Sequence, residues 1–65
     1  MEIIVRQKKE KKIKVEDGRS IGDLLKNLGI NKETVLVAKN GEISLEEEIL
    51  REGDVVDIIS VISGG

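Results

Sequence analysis

Hydrophobic and polar residues alternate near both ends of this chain and follow a helical period between them. Residues 2–7 and 11–16 alternate, with Ile3 and Val5 on one face of the first segment and Ile13 and Val15 on one face of the second. A polar reversal at Lys8, Lys9 and Glu10 joins them, which predicts a β-hairpin without the Asn-Gly or Asp-Gly pair of the tightest turns. Asp17-Gly18 turns the chain, and Ser20 then stands at the N-cap of a helix, with Asp23 as a shortened capping-box partner. Ile21, Leu24, Leu25 and Leu28 follow at i, i+3, i+4 and i+7, the apolar stripe of a short helix. Gly29 ends it in the left-handed cap position, and Ile30 supplies the apolar contact that accompanies such a cap. Gly22 costs about 1 kcal/mol relative to Ala inside a helix, and close packing on the sheet is the expected reason for it.

In the second half, Thr34 to Lys39 reads as a strand. Val35, Leu36, Val37 and Ala38 make it apolar on both faces, as in a strand covered on both sides or exposing a docking face. Asn40-Gly41 is the strongest turn signal in the chain, and Glu42-Ile43 begins a short return strand. Ser44 and Glu47 resemble a second capping box, predicting a helical turn from Leu45 to Leu50. Glu52-Gly53-Asp54 leads into a final β-branched run, Val55 to Ile62, interrupted by Asp57 and Ser60. Alternation places Val56 and Ile58 toward the helix stripe, because the opposite set carries Asp57. That leaves Ile59 and Val61, with Ile4 of the first strand, as an outer apolar patch expected to bind a partner. The order predicts an α+β domain: a mixed sheet of four or five strands, one helix across a single face, and the last strand paired centrally beside the first.

Sixty-five residues make one small domain, spanning 1–65, which hides about 60% of its unfolded surface. The formal charge of −2 and the absence of Phe, Tyr and Trp argue against nucleic acid as a partner. The lysines at 8, 9, 11, 12 and 14 are read accordingly as a solvated hairpin tip, interrupted by Glu10. Without Cys or His the chain has no disulfide, thiol nucleophile or catalytic triad, and it lacks the usual ligands of a zinc site. Gly18, Gly29, Gly41 and Gly53 are isolated, so no phosphate-binding loop is formed. Glu46, Glu47, Glu48, Glu52 and Asp54 fit a solvated acidic face or a docking surface for a basic partner better than an acid–base pair. No stretch suits a signal peptide or a membrane span, and the default expectation is a soluble, cytoplasmic monomer.

The sequence closes with Ser63-Gly64-Gly65, read as a flexible tail over 63–65. Two residues without Cβ form a thin, pliable thread, able to pass a channel too narrow for side chains and to present a carboxylate to another protein's active site. A carboxylate is a poor electrophile, and joining it to AMP supplies a leaving group. Fraying, common at the ends of small domains, is the alternative.

The hairpin, the capped helix, the VLVAKNGE strand and turn, the EGDVVDII approach to the last strand and the terminal SGG together resemble the β-grasp, ubiquitin-like sulfur carriers of the ThiS/MoaD family. The specific elements are NGE at 40–42, GDVV at 53–56 and Gly64-Gly65. The resemblance implies that an E1-like enzyme adenylates Gly65 and that a sulfur donor converts the adenylate to a thiocarboxylate. Gly64 and Ser63 would thread the activating site. The chain would be a co-substrate and not an enzyme, with no cofactor of its own, since ATP and magnesium belong to the activating partner. An acceptor synthase in thiamine or molybdopterin biosynthesis, or tRNA thiolation, would receive the sulfur. The absence of aromatic and proline residues in Ile59-Ser60-Val61-Ile62 leans toward the thiamine type or a general archaeal-type carrier. Two alternatives remain open: a ubiquitin-like modifier joined through Gly65 to lysines, and a non-covalent binding module acting through the Ile59 and Val61 face.

Overall fold

In a computed structural model, which describes residues 1–61, the first hairpin pairs β1 (Glu2–Arg6) with β2 (Glu10–Lys14), placing Ile3 opposite Ile13 and Val5 opposite Lys11. The tail expected at 63–65 lies outside the described residues, as does Ile62. Helix α1 (Ile21–Leu28) begins with the capping box read from Ser20 and Asp23. The Ser20 hydroxyl accepts from the Asp23 N–H at 3.2 Å, and the Asp23 carboxylate accepts from the Ser20 N–H at 3.1 Å. At the other end Gly29 adopts φ 72°, its N–H donates to the Lys26 carbonyl, and the Ile30 N–H donates to the Leu25 carbonyl. This is a Schellman cap, and Ile30 packs on the core.

After α1 the chain runs through a 3₁₀ turn (Lys32–Thr34) into β3 (Val35–Lys39), β4 (Glu42–Ile43) and β5 (Val55–Ser60). The strand order is β2-β1-β5-β3-β4. β5 lies parallel to β1 on one side and antiparallel to β3 on the other, so the sheet is mixed and its last strand is central. Val56 and Ile58 point to the helix as the alternation predicts. With Ile3, Val5, Ile21, Leu24, Leu25, Val37 and Leu50 they form the buried core. Thr34 belongs to the 3₁₀ turn and not to β3, because Asn31 caps that turn. The Asn31 side-chain oxygen accepts from the Glu33 N–H, and its carbonyl accepts from the Thr34 N–H and hydroxyl.

Of the helical turn expected from Leu45 to Leu50 only a single tight turn forms, the Glu48 N–H donating to the Leu45 carbonyl at 3.1 Å, and no helix continues from it. Ser44 donates its hydroxyl to the Glu42 carbonyl and does not cap toward Glu47. The segment instead lies against the start of α1: the carbonyls of Glu46 and Glu48 accept from the N–H groups of Gly22 and Ile21 at 2.9 Å, and the Leu50 N–H donates to Arg19. The first N–H groups of a helix have no partner within it, and the strap's carbonyls, not taken up by helical bonding of their own, satisfy them. The same contact accounts for Gly22. A Cβ there would sit 3.3 Å from the Glu46 carbonyl oxygen, so its lack of a side chain serves the strap and not the sheet.

Candidate functional site

Two motifs distant in sequence clasp each other where β5 begins. Asn40 (φ 53°) and Gly41 (φ 86°) both take the left-handed conformation that a two-residue type I′ hairpin requires. The Asn40 side-chain amide donates to an Asp54 carboxylate oxygen at 2.9 Å, and its oxygen accepts from the Val55 N–H at 2.9 Å. The Asn40 N–H in turn donates to the Val55 carbonyl at 2.8 Å. Asp54, 7% exposed, also accepts from the Arg51 N–H at 2.8 Å and faces the Lys39 ammonium at 3.8 Å. Burial pushes its carboxyl up. The hydrogen bonds from Asn40 and Arg51 and the charges of Lys39 and Arg51 outweigh that effect and hold it below the usual 3.8. The NGE turn and the GDVV segment are thus one structural device that sets the register of the central strand.

A carboxylate whose folded pKa is depressed stabilises the fold above about pH 4, and this contribution disappears as pH falls through the depressed value. Asp54→Asn is therefore expected to lower stability at neutral pH by about 1–3 kcal/mol and to flatten the acid limb of the stability profile. Urea unfolding at neutral and acid pH measures both effects.

At its other end β5 leads to Val61, the last described residue. Ser60 pairs with Val35, and the Val61 N–H donates to the Thr34 carbonyl at 3.0 Å, so the 3₁₀ turn anchors the chain where β5 ends. Beside this anchor the outer face of the sheet is apolar. Ile59 lies directly opposite Leu36, each 47% exposed, and Val61 continues the row. Ile43, also exposed, sits across from Ala38 and extends the patch to the sheet edge. Cross-strand neighbours on one face lie about 5 Å apart, so Leu36 and Ile59 form one surface.

The structure brings together two of the three expected patch residues. Ile59 and Val61 adjoin, whereas Ile4 pairs with Val55 at the far end of β5. Between them Arg6 and Asp57 form a two-pronged ion pair at 2.7 and 3.1 Å. Leu36 and Ile43 join the patch without having been read from sequence. The two-faced apolar character of 35–38 was the signal, but placing Leu36 opposite Ile59 required the β3–β5 register. Ser63, Gly64 and Gly65 lie outside the described residues. Several of the carboxylates serve the fold: Glu46 pairs with Lys32, Glu48 pairs with Lys39, and Glu52 accepts from the Glu2 N–H. No helix among the described residues is long and apolar enough to cross a membrane.

A mixed sheet with parallel β1 and β5 at its centre, edge hairpins and a single capped helix laid across one face is a ubiquitin-like β-grasp fold. SAMP1 from Haloferax volcanii superposes over the whole of both chains with a TM-score of 0.79 at 18% identity. The thiamine biosynthesis protein ThiS from Geobacter metallireducens does so with a TM-score of 0.74 at 24% identity. The model of the ThiS family matches residues 2–65, and the chain belongs to that family. The sulfur carrier protein TtuB of Thermus thermophilus is 34% identical to it over 65 residues, covering all of both chains. An uncharacterised protein of Archaeoglobus fulgidus is 40% identical over 57 residues, covering 86% of this chain and 84% of its own.

Proposed function

We propose that this protein is a sulfur carrier whose Gly65 carboxylate is adenylated and then thiolated by partner enzymes. The observation that carries the reading is the family match over 2–65, which includes Ser63-Gly64-Gly65. The kinship with a sulfur carrier along the whole chain supports it further. A carboxylate oxygen of Gly65 attacks the α-phosphorus of ATP and expels pyrophosphate, giving an acyl-adenylate. Hydrosulfide from a sulfur donor then attacks the acyl carbon, the bond to the phosphate oxygen breaks and AMP leaves. The product is a thiocarboxylate, a stronger nucleophile than the carboxylate it replaces. The chain supplies the thread and the docking face, and the activating partner supplies the ATP and magnesium site.

The Leu36, Ile59 and Val61 face lies at the root of the thread, where an E1-like enzyme must hold the domain while Gly64 and Ser63 enter its active site. The acceptor is a synthase for thiamine, molybdopterin or a thiolated tRNA, and Ile59-Ser60-Val61-Ile62, without aromatic or proline, favours the thiamine type. Incubation with the cognate activating enzyme, ATP and sulfide is expected to raise the intact mass by about 16 Da, the exchange of one oxygen for sulfur. Ile59→Asp is expected to weaken docking at least tenfold, read as a raised KM for the carrier with kcat nearly preserved. A carrier that stays at its starting mass while the enzyme thiolates a control substrate would refute the proposal.

A further inference from the structure

The hairpin lysines form a surface on β2, apart from the Leu36, Ile59 and Val61 face on β3 and β5. Lys8, Lys9, Lys11, Lys12 and Lys14 occupy five of the seven positions from 8 to 14, and all are exposed. Among the described residues none of them enters an ion pair, whereas four of the six basic side chains elsewhere, Arg6, Arg19, Lys32 and Lys39, do. The chain's net charge is −2, so positive charge is concentrated on this one edge.

The backbone of that edge is open. Met1 and Val15 exchange both hydrogen bonds at 2.9 Å. Alternation along an antiparallel pair then makes Ile3–Ile13 and Val5–Lys11 the bonded pairs, and it turns the N–H and C=O groups of Glu10, Lys12 and Lys14 away from β1. The opposite side of β1 agrees: the Ile4 N–H and the Glu2 carbonyl both bond toward β5. A groove of about 430 Å³ adjoins the end of this edge, lined in part by Val15 and Leu24 with Lys14 and Lys26. Its acids are already engaged, Glu16 by Arg19 at 2.8 Å and Asp23 by the helix cap.

We infer that the open edge of β2 and the groove beside α1 dock an extended acidic segment of a partner protein, which adds to the sheet as a sixth strand. Lysines on an edge repel a like-charged or a second lysine-rich strand. A strand carrying Asp or Glu at alternate positions meets the opposite condition: main-chain bonds supply affinity and the lysines select the sequence. Nucleic acid fits less well, since the chain has no aromatic platform and an unpaired strand edge matches a peptide backbone.

The probe is a fluorescein-labelled peptide of about ten residues alternating valine and glutamate, titrated into the whole protein by anisotropy. Binding is expected to slow amide exchange at Glu10, Lys12 and Lys14 specifically. It is expected to weaken at least tenfold in the variant carrying Lys12→Glu and Lys14→Glu, and to weaken similarly when salt rises from about 0.05 to about 0.5 M. A peptide N-methylated on its bonding edge should lose most of its affinity. Equal binding by the N-methylated peptide, unchanged exchange at the three amides, or tighter binding of a single-stranded oligothymidylate would each overturn the inference. The Gly65 chemistry can be assayed on the same variants, and its retention there keeps the two readings separate.

Discussion

Deleting Gly64 and Gly65 is expected to abolish formation of the thiolated species completely while leaving the thermal midpoint unchanged. The core is built from residues between Ile3 and Ile58, and the end of β5 is held by the Val61 N–H on the Thr34 carbonyl. Nothing in that set needs the last two residues. The proposed chemistry needs both, because truncation leaves the carboxylate on Ser63, two residues short of where the proposed activating enzyme would act. About 7 Å of reach is lost with two extended residues, several times the tolerance of an in-line attack. Calorimetry and intact mass on the same sample separate the two outcomes. Thiolation persisting in the truncated chain would place the sulfur elsewhere.

The second large effect falls on the strap between β4 and β5. Leu50 is 2% exposed and packs among the core residues, whereas Leu45, five positions earlier, is 70% exposed. Leu50→Ala removes a buried side chain and leaves a cavity, at a cost of about 2–5 kcal/mol. A domain of this size has a total stability of about 3–10 kcal/mol, so the variant is expected to lose about half of it and to unfold at a correspondingly lower urea concentration. Leu45→Ala should change stability by less than about 0.5 kcal/mol. Urea unfolding of the two variants side by side tests the strap directly. Equal losses would mean that both leucines are buried, as neither the exposure nor the contacts allow.

The strap also shows where sequence reading reached its limit. The helix was legible because its signals are local: a hydroxyl and a carboxylate three residues apart, an apolar stripe and a glycine at the end. The burial of Val56 and Ile58 was legible because one charge, Asp57, marked the other face. From Ser44 to Leu50 the local signal, a Ser followed by Glu at capping spacing, competed with a long-range one. The helix's unpaired N–H groups at Ile21 and Gly22 took the carbonyls of Glu46 and Glu48. No local pattern reveals that demand, although Gly22 inside an otherwise regular helix was its trace. The outer patch divides the same way. Ile59 and Val61 follow from alternation on one strand, whereas adding Leu36 and Ile43 and separating Ile4 depend on which strands are neighbours.

The clasp of Asn40 with Asp54 ties these levels together. The NGE and GDVV segments, which carried the resemblance in sequence, meet in space and fix the register of β5. A strand held at its start by a buried carboxylate and at its end by Thr34 is a rigid base from which a thread can extend. A firm domain followed in sequence by Ser63-Gly64-Gly65 suits the proposed role of a co-substrate handed between enzymes.

The most direct test is fragmentation mass spectrometry of the intact protein isolated from its native cells with the activating enzyme present. The account predicts that C-terminal fragments containing Gly65 are heavier by about 16 Da in a fraction of molecules, and that all fragments ending before Gly65 are unshifted. Sulfur-free C-terminal fragments under conditions of active sulfur transfer, or a mature chain that continues past Gly65, would contradict it.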